Sequence, residues 1–255
     1  MTPELVSYRY ADRVARATLH NPPLNILTLP AIHDYAAALG RVERDTAAVC
    51  VLTSSGERAF SAGVDVAEHT REKAAGMLEH FHTLVRKVRS IECVTIAAVR
   101  GLCLGGGFEL ALACDMIVAE EGATFGLPEI WLGCFPPVAA VVLPRHITPQ
   151  KAFEMVLSGE TITAQEALAM GFVNALAPPG KMEETLDRFA SRFTEKSVAA
   201  LRIARRALRV SEEFVYGAGL DETERIYLED LMRTRDAEEG IRAFLERRAP
   251  KWEDR

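Results

Sequence analysis

The stretch GLCLGGGFELALACD, residues 101–115, followed by ATFGLPEIWLG, residues 123–133, decides how this chain reads. Three consecutive glycines, Gly105 to Gly107, run into an apolar helical segment that carries one carboxylate, Glu109. A second carboxylate, Glu129, follows Pro128 and precedes Ile130-Trp131-Leu132. A carboxylate in apolar surroundings is costly unless it is hydrogen-bonded or used. Glycines let a backbone approach another group closely and leave its N–H groups free to point at it. The combination suggests backbone stabilisation of an anion beside two proton-handling carboxylates.

Each acid also has a plainer reading. The start of a helix favours negative charge, so Glu109 suits that position on its own account. Glu129 alone reads as a turn or cap acid. The apolar neighbours Phe108, Leu110, Ala111 and Leu112 weigh against the first of these readings. Two carboxylates sharing a dry pocket repel each other and raise at least one pKa, as proton transfer near neutral pH requires. The candidate amide donors are Gly106 and Val64, the latter in SAGVD with Gly63 just before it. Gly101 to Gly107 also approximates a G-x-G-x-x-G nucleotide pattern, but no P-loop lysine follows. Asp65 reads as a brace of the Val64 turn, and Asp115 as a local cap or salt-bridge partner. No pair among the six histidines has H-E-x-x-H spacing, so no metal site is expected. Ser61 lies near the candidate site, but G-x-S-x-G is absent.

Outward from this centre, AVCVLTSS (48–55) and CVTIAAVRG (93–101) are apolar runs of strand length, separated by a helix over 71–90. With the Gly105–Asp115 element and the short strand and turn in 116–126, they read as strand, helix, strand, helix, strand. That is the order of a parallel sheet flanked by helices. Residues 6–20 read as a hairpin around Ala11-Asp12, Leu29 to Asp45 as a helix, and FSAGVDV (60–66) as a small-residue loop. Residues 147–176 read as short helices with threonine caps and glycine stops, Thr163 to Glu166 forming a capping-box pattern. From Gly180 the chain reads as helical to its end, with a soft boundary near residue 190. A core of 1–190 and a helical region of 191–255 are thus expected. The apolar stripes of that second region exceed what single helices bury alone, so they pack on the core or on another subunit.

Composition excludes several classes. The 255 residues are 49% apolar and 26% charged, ordinary for a globular enzyme, and the net charge of −6 carries its basic residues dispersed. Nucleic-acid and membrane-surface binding are therefore not expected. MTPELVSYRY shows no secretory leader and no apolar run is long enough to span a bilayer, which points to the cytoplasm. The five cysteines, Cys50, Cys93, Cys103, Cys114 and Cys134, have no C-x-x-C pair and read as reduced core thiols.

Taken together, HNPPLNIL, ERAFSAGVDV, IAAVRGLCLGGGFELALACD, ATFGLPEIWLG, VLSGETITAQEALAMGFVNAL and DAEEGIRAFLERRAPKW resemble the crotonase superfamily, the enoyl-CoA hydratase/isomerase family. The resemblance runs from about Ala15 to the C-terminus. It implies an α/β fold, a spiral of β-β-α units with a helical C-terminal trimerisation region, often paired into hexamers. It implies coenzyme A thioesters as substrates, with no separate cofactor. It places the two oxyanion-hole amides on Val64 and Gly106, and CoA contacts near Asn25, Ala62 and Val64. Both glutamates of the family's hydratases fall on Glu109, which would hold and activate water, and Glu129, which would exchange a proton with substrate carbon. Isomerases of the family often keep only the later acid, and a degenerate RNA-binding or assembly-only relative would not need both. The chain departs from the common pattern where FPPVAA (135–140) replaces a glycine-rich turn, and in PPLNILT. Both departures resemble the cyclic dienoyl-CoA hydratase branch of anaerobic benzoyl-CoA breakdown. That branch implies hydration of cyclohexa-1,5-diene-1-carbonyl-CoA; the alternative is a linear trans-2-enoyl-CoA.

Overall fold

The computed structural model describes residues 4–253; Met1–Pro3, the start of the stretch read as lacking a leader, and the last two residues lie outside them. The chain opens with β1 (Val6–Ala11) and β2 (Val14–Leu19), an antiparallel hairpin. Its turn residues Asp12 and Arg13 both have positive φ, as a two-residue turn matching the twist of its strands requires. Helix α1 (Leu29–Val42) follows, capped by the Thr28 hydroxyl.

Three turns of a spiral then repeat one unit, a long strand, a short strand and a helix. The first is β3 (Val49–Ser54), β4 (Ala59–Ser61) and α2 (Ala74–Ser90). The second is β5 (Val94–Val99), β6 (Leu102–Leu104) and α3 (Gly106–Ala113). The third is β7 (Met116–Glu120), β8 (Thr124–Gly126), a 3-10 turn over Pro128–Leu132, and α4 (Pro137–His146). The chain continues through α5 (Pro149–Ser158), β9 (Thr161–Thr163), α6 (Ala164–Met170) and β10 (Ala175–Ala177). The long strands form one sheet in the order β1-β2-β3-β5-β7-β10, parallel from β2 onward. The short strands form a second sheet, β4-β6-β8-β9, with β9 antiparallel. The β-β-α spiral expected from the resemblance is thus present.

The large sheet is buried on both faces, which is why β3 and β5 are continuous apolar runs rather than alternating ones. Cys50, Leu52, Ala97 and Val99 face the core beneath α1, α2 and α3. Val49, Val51, Ile96 and Ala98 face the opposite way, toward Leu186 and Phe189 of α7 (Met182–Thr194). All five cysteines are buried and free.

Three readings of the sequence change. FSAGVDV is not wholly loop, because Ala59–Ser61 is strand β4 and Val64 bridges to Leu27. Residues 147–176 contain β9 and β10 as well as helices. The C-terminal region is not helical throughout. After α8 (Val198–Arg225) comes a π-helical turn, Ile226–Asp230, a 3-10 turn, Leu231–Arg233, then α9 (Arg235–Leu245) and a non-helical tail. Residue 190 lies inside α7, whose Phe189 and Ala190 pack on the sheet. Asp115 is a salt-bridge partner, as read. It accepts from Arg205 (2.7 Å) and Arg209 (2.6 Å) and from the Thr95 amide (2.8 Å), clamping α8 to the spiral. No helix among the described residues is long and apolar enough to cross a membrane.

Candidate active site

The short strands and the helices that follow them converge on one cavity of about 350 Å³. Its walls include Ala62, Val64, Gly106, Glu109 and Glu129, so the two loops and the two acids singled out in the sequence do meet in space. Each of the three glycines is required there for its own reason. Gly105 has φ +52°, a backbone conformation that favours glycine, and a Cβ on it would come 2.6 Å from Glu129 Oε1. At Gly106 a Cβ would come 2.8 Å from a Val64 methyl carbon, and at Gly107 it would come 2.5 Å from the Ser61 carbonyl oxygen. The glycine run is therefore where α3 presses its first turn against the Ser61–Val64 loop on one side and Glu129 on the other.

The loop is braced from within. Gly63 donates its N–H to the Ser61 hydroxyl (3.1 Å), and its carbonyl accepts from Leu27 (2.9 Å). Asp65 does not hold Val64 directly; its carboxylate caps the next turn by accepting from the Ala67 amide (3.0 Å). Gly106 is the first residue of α3, so its N–H has no acceptor within the helix. The Val64 and Gly106 amides stand at one edge of the cavity, the place for an oxygen that gains negative charge.

Asn25 stands apart. It is fully buried, and its side-chain amide is consumed by backbone groups. Nδ2 donates to the carbonyls of Ser55 (2.9 Å) and Ala59 (2.7 Å), and Oδ1 accepts from the Asn21 amide (3.0 Å). The structure thus makes the Asn25 side chain a bracket for the chain entering β4 and does not place it on the cavity wall, whereas Ala62 and Val64 are on that wall.

The two acids are unlike each other. Glu109 Oε1 accepts from the Ala139 amide (2.9 Å) at the start of α4. Burial raises the Glu109 carboxyl to about 7, and the Ala139 and Val138 amides hold it from rising further. Glu129 sits on the Pro128–Leu132 turn, which ends at Gly133 in the left-handed region. Its Oε2 is buried without a hydrogen-bond partner. Burial and the nearby Glu109 charge raise Glu129 to about 8. The Ala139 amide favours the carboxylate form of Glu109 and the unpaired Oε2 favours the protonated form of Glu129, so the singly protonated pair carries its proton on Glu129. A carboxylate and a carboxylic acid facing one cavity, beside the Val64 and Gly106 amides, can take a proton from water, deliver one to carbon, and stabilise the enolate between.

The sequence analysis did not single out three contributors. The Ala139 amide is a backbone group and has no letter of its own. Phe135 and Tyr227 face the cavity as a ring pair with centroids 5.4 Å apart. Tyr227 reaches it only because the chain turns at the end of α8. The one available signal was Pro136-Pro137, since proline is favoured in a helix's first turn and here opens α4. Among the described residues no cluster of three His, Cys, Asp or Glu side chains stands where it could hold a metal ion.

Comparisons with known proteins place the chain in a family. The chain is 36% identical over 240 residues to cyclohexa-1,5-dienecarbonyl-CoA hydratase of Thauera aromatica, covering 94% of this chain and 93% of that one. It is 38% identical over 252 residues to 2,3-dehydroadipyl-CoA hydratase of Escherichia coli, covering 96% of each. The crystal structure of carnitinyl-CoA hydratase from Mycobacterium avium superposes with a TM-score of 0.88 at 32% identity, covering 100% of both chains. The pattern of the enoyl-CoA hydratase/isomerase family matches residues 9–255. By this match, and by the fold and relatives that agree with it, the chain belongs to the enoyl-CoA hydratase/isomerase family.

Proposed function

We propose that this protein adds water reversibly to a conjugated acyl-CoA thioester, with coenzyme A carried by the substrate and no separate cofactor. The observation that carries the proposal is the pair of unlike acids on one cavity wall, Glu109 tied to the Ala139 amide and Glu129 untied. Glu109 takes a proton from water as the oxygen bonds to the β carbon. The thioester oxygen becomes an enolate oxygen held by the Val64 and Gly106 amides. Glu129 then gives its proton to carbon, and the proton count of the pair is unchanged over the step.

We further propose cyclohexa-1,5-diene-1-carbonyl-CoA as the substrate and 6-hydroxycyclohex-1-ene-1-carbonyl-CoA as the product. Here both double bonds conjugate through the carbon bearing the carbonyl. Hydroxide adds at the β end of one, the electrons pass into a dienolate, and the proton arrives at the far end of the other. A flat ring suits walls that do not flex, and Phe135, Pro136, Pro137 and Tyr227 form such a wall. The similarity to 2,3-dehydroadipyl-CoA hydratase supports a linear substrate instead. That substrate carries a second carboxylate, whereas the guanidinium on the cavity wall, Arg248, is already held by Glu239 (2.9 Å).

The decisive experiment compares the cyclic diene with crotonyl-CoA in D2O and locates the deuterium by NMR. The cyclic reading expects the higher kcat/KM for the diene, with deuterium on the ring carbon para to the new hydroxyl. Equal or better hydration of crotonyl-CoA, with deuterium on the α carbon, replaces it with the linear reading. The proposal extends to assembly. Ile203 and Val210 on α8 are 61% and 57% exposed, and Phe153 and Leu157 on α5 are 66% and 62% exposed, a poor arrangement for a lone subunit. A homotrimer, or two trimers face to face, covers them; a monomer by light scattering at micromolar concentration rejects this.

A further inference from the structure

The Tyr227 ring lines the acyl wall, but the mechanism above gives its hydroxyl no task. It lies on the π-helical turn Ile226–Asp230 and is 1% exposed. Short π segments recur at functional sites because they re-aim a side chain that a regular helix would point elsewhere. Here the turn directs the ring onto Phe135 and into the cavity shared with Glu109 and Glu129. The hydroxyl is buried and has no hydrogen-bond partner. Beside it lies the thiol of Cys134, a weak acceptor that itself donates to the Leu132 carbonyl (3.7 Å) and leaves the hydroxyl without a strong partner. A buried polar atom left unpaired costs free energy in a resting fold, so its retention calls for an occupant that pairs with it.

Glu129 Oε2 has the same status, buried, unpaired and on the same cavity wall. One of the two groups is an O–H donor and the other a carboxyl oxygen. Burial first, then the Cys134 thiol beside it, and after these the charges of Glu129 and Glu109, raise the phenol well above its ordinary value. Tyr227 is thus a fixed neutral donor at every pH where the enzyme works. It cannot serve as a base, and what it offers the cavity is one hydrogen bond to an oxygen.

Resting on the hydration reading above, we propose that the Tyr227 hydroxyl donates a hydrogen bond to the reacting oxygen, water in one direction and the substrate hydroxyl in the other. In dehydration the C–O bond breaks with its electron pair going to oxygen, and Glu109 returns a proton to that oxygen. A donor already aimed at it stabilises the charge as it builds. The unsaturated thioester has no oxygen at this place and receives nothing from Tyr227.

The test is Tyr227→Phe in the full-length enzyme, which keeps the ring against Phe135 and removes only the hydroxyl. Kd for the hydroxyacyl-CoA product is expected to weaken about 10-fold and kcat to fall about 10- to 100-fold, the range of one neutral hydrogen bond to one that meets developing charge. Kd for a saturated acyl-CoA should not change, and the pH profile should keep its shape. Thermal stability should hold or rise, since an unpaired group is removed. A structural role for the hydroxyl would instead lower stability and weaken both ligands together, which overturns the proposal. Wild-type kcat and hydroxyacyl-CoA affinity in the variant overturn it too, and leave the hydration reading standing. A wild-type enzyme that hydrates neither the cyclic diene nor crotonyl-CoA overturns both.

Discussion

Replacing Glu129 with Gln should make the protein more stable, and by more as pH rises from about 5 to 8. Burial and the Glu109 charge raise the Glu129 carboxyl from 4.5 to about 8. Between those values the unfolded chain has released this proton and the folded chain holds it. Folding then binds a proton, so stability falls as pH rises, by about 1.4 kcal/mol per pH unit for one proton. From pH 5.5 to pH 8 this amounts to about 3 kcal/mol, after allowing for partial ionisation at each end. Gln has nearly the same shape and no proton to lose. For a chain of this size, about 3 kcal/mol corresponds to roughly 6–12 °C in Tm. The assay is thermal unfolding of wild type and E129Q at pH 5.5 and pH 8.0 at one ionic strength. The gain of E129Q over wild type should be small at the lower pH and several degrees larger at the higher. Subtracting the two proteins cancels every titrating group outside the Glu109–Glu129 pair. A gain of equal size at both pH values would refute the reasoning, because it would mean that Glu129 ionises as easily folded as unfolded.

The same pair sets the activity. Glu109→Gln, and separately Glu129→Gln, should each lower turnover by about 10²–10⁴-fold while leaving acyl-CoA affinity within a few-fold, checked by steady-state kinetics and calorimetric titration. The pH profile of kcat/KM should be a narrow bell. The rate rises as Glu109 ionises through about 7 and falls as Glu129 loses its proton above about 8. Because both directions use the singly protonated pair, hydration and dehydration should share that bell, and a flat profile between pH 6 and 9 would exclude it. Val64→Pro removes an amide donor and should raise the barrier by about 3–4 kcal/mol, whereas Val64→Ala keeps the amide and should stay within a few-fold of wild type.

What could be read in the sequence follows physical lines. The buried strands β3 and β5 are legible because burial on both faces forbids polar residues, leaving continuous apolar runs. The glycine run and the two acids are legible because each violates what its apolar surroundings would otherwise select. Strands β4, β6, β9 and β10 are three residues each, too short to show a period. The π turn at Ile226–Asp230 interrupts a region whose apolar stripe reads as unbroken helix, because a one-residue widening of the turn leaves composition unchanged. Asn25 shows the opposite failure. The family resemblance puts coenzyme A contacts near it, while its side chain is spent on Ser55, Ala59 and Asn21, a bracing role that only the fold reveals.

One short segment joins properties that an engineer would want to change separately. Pro136 and Pro137 shape the acyl wall, and Ala139, two residues further on, supplies the amide that keeps Glu109 acidic enough to ionise. The Pro137 carbonyl in turn accepts from the Thr223 hydroxyl of α8 (3.3 Å), in the region proposed to hold subunits together. On the hydration reading proposed above, selectivity and basicity therefore share one lever, and α8 is tied to it. A substitution that widens the wall for a bulkier acyl group also moves the amide and retunes the base. Altered substrate range at this segment should arrive with a displaced pH optimum, and recovering the original optimum should take a compensating change on α8 rather than at the acids themselves.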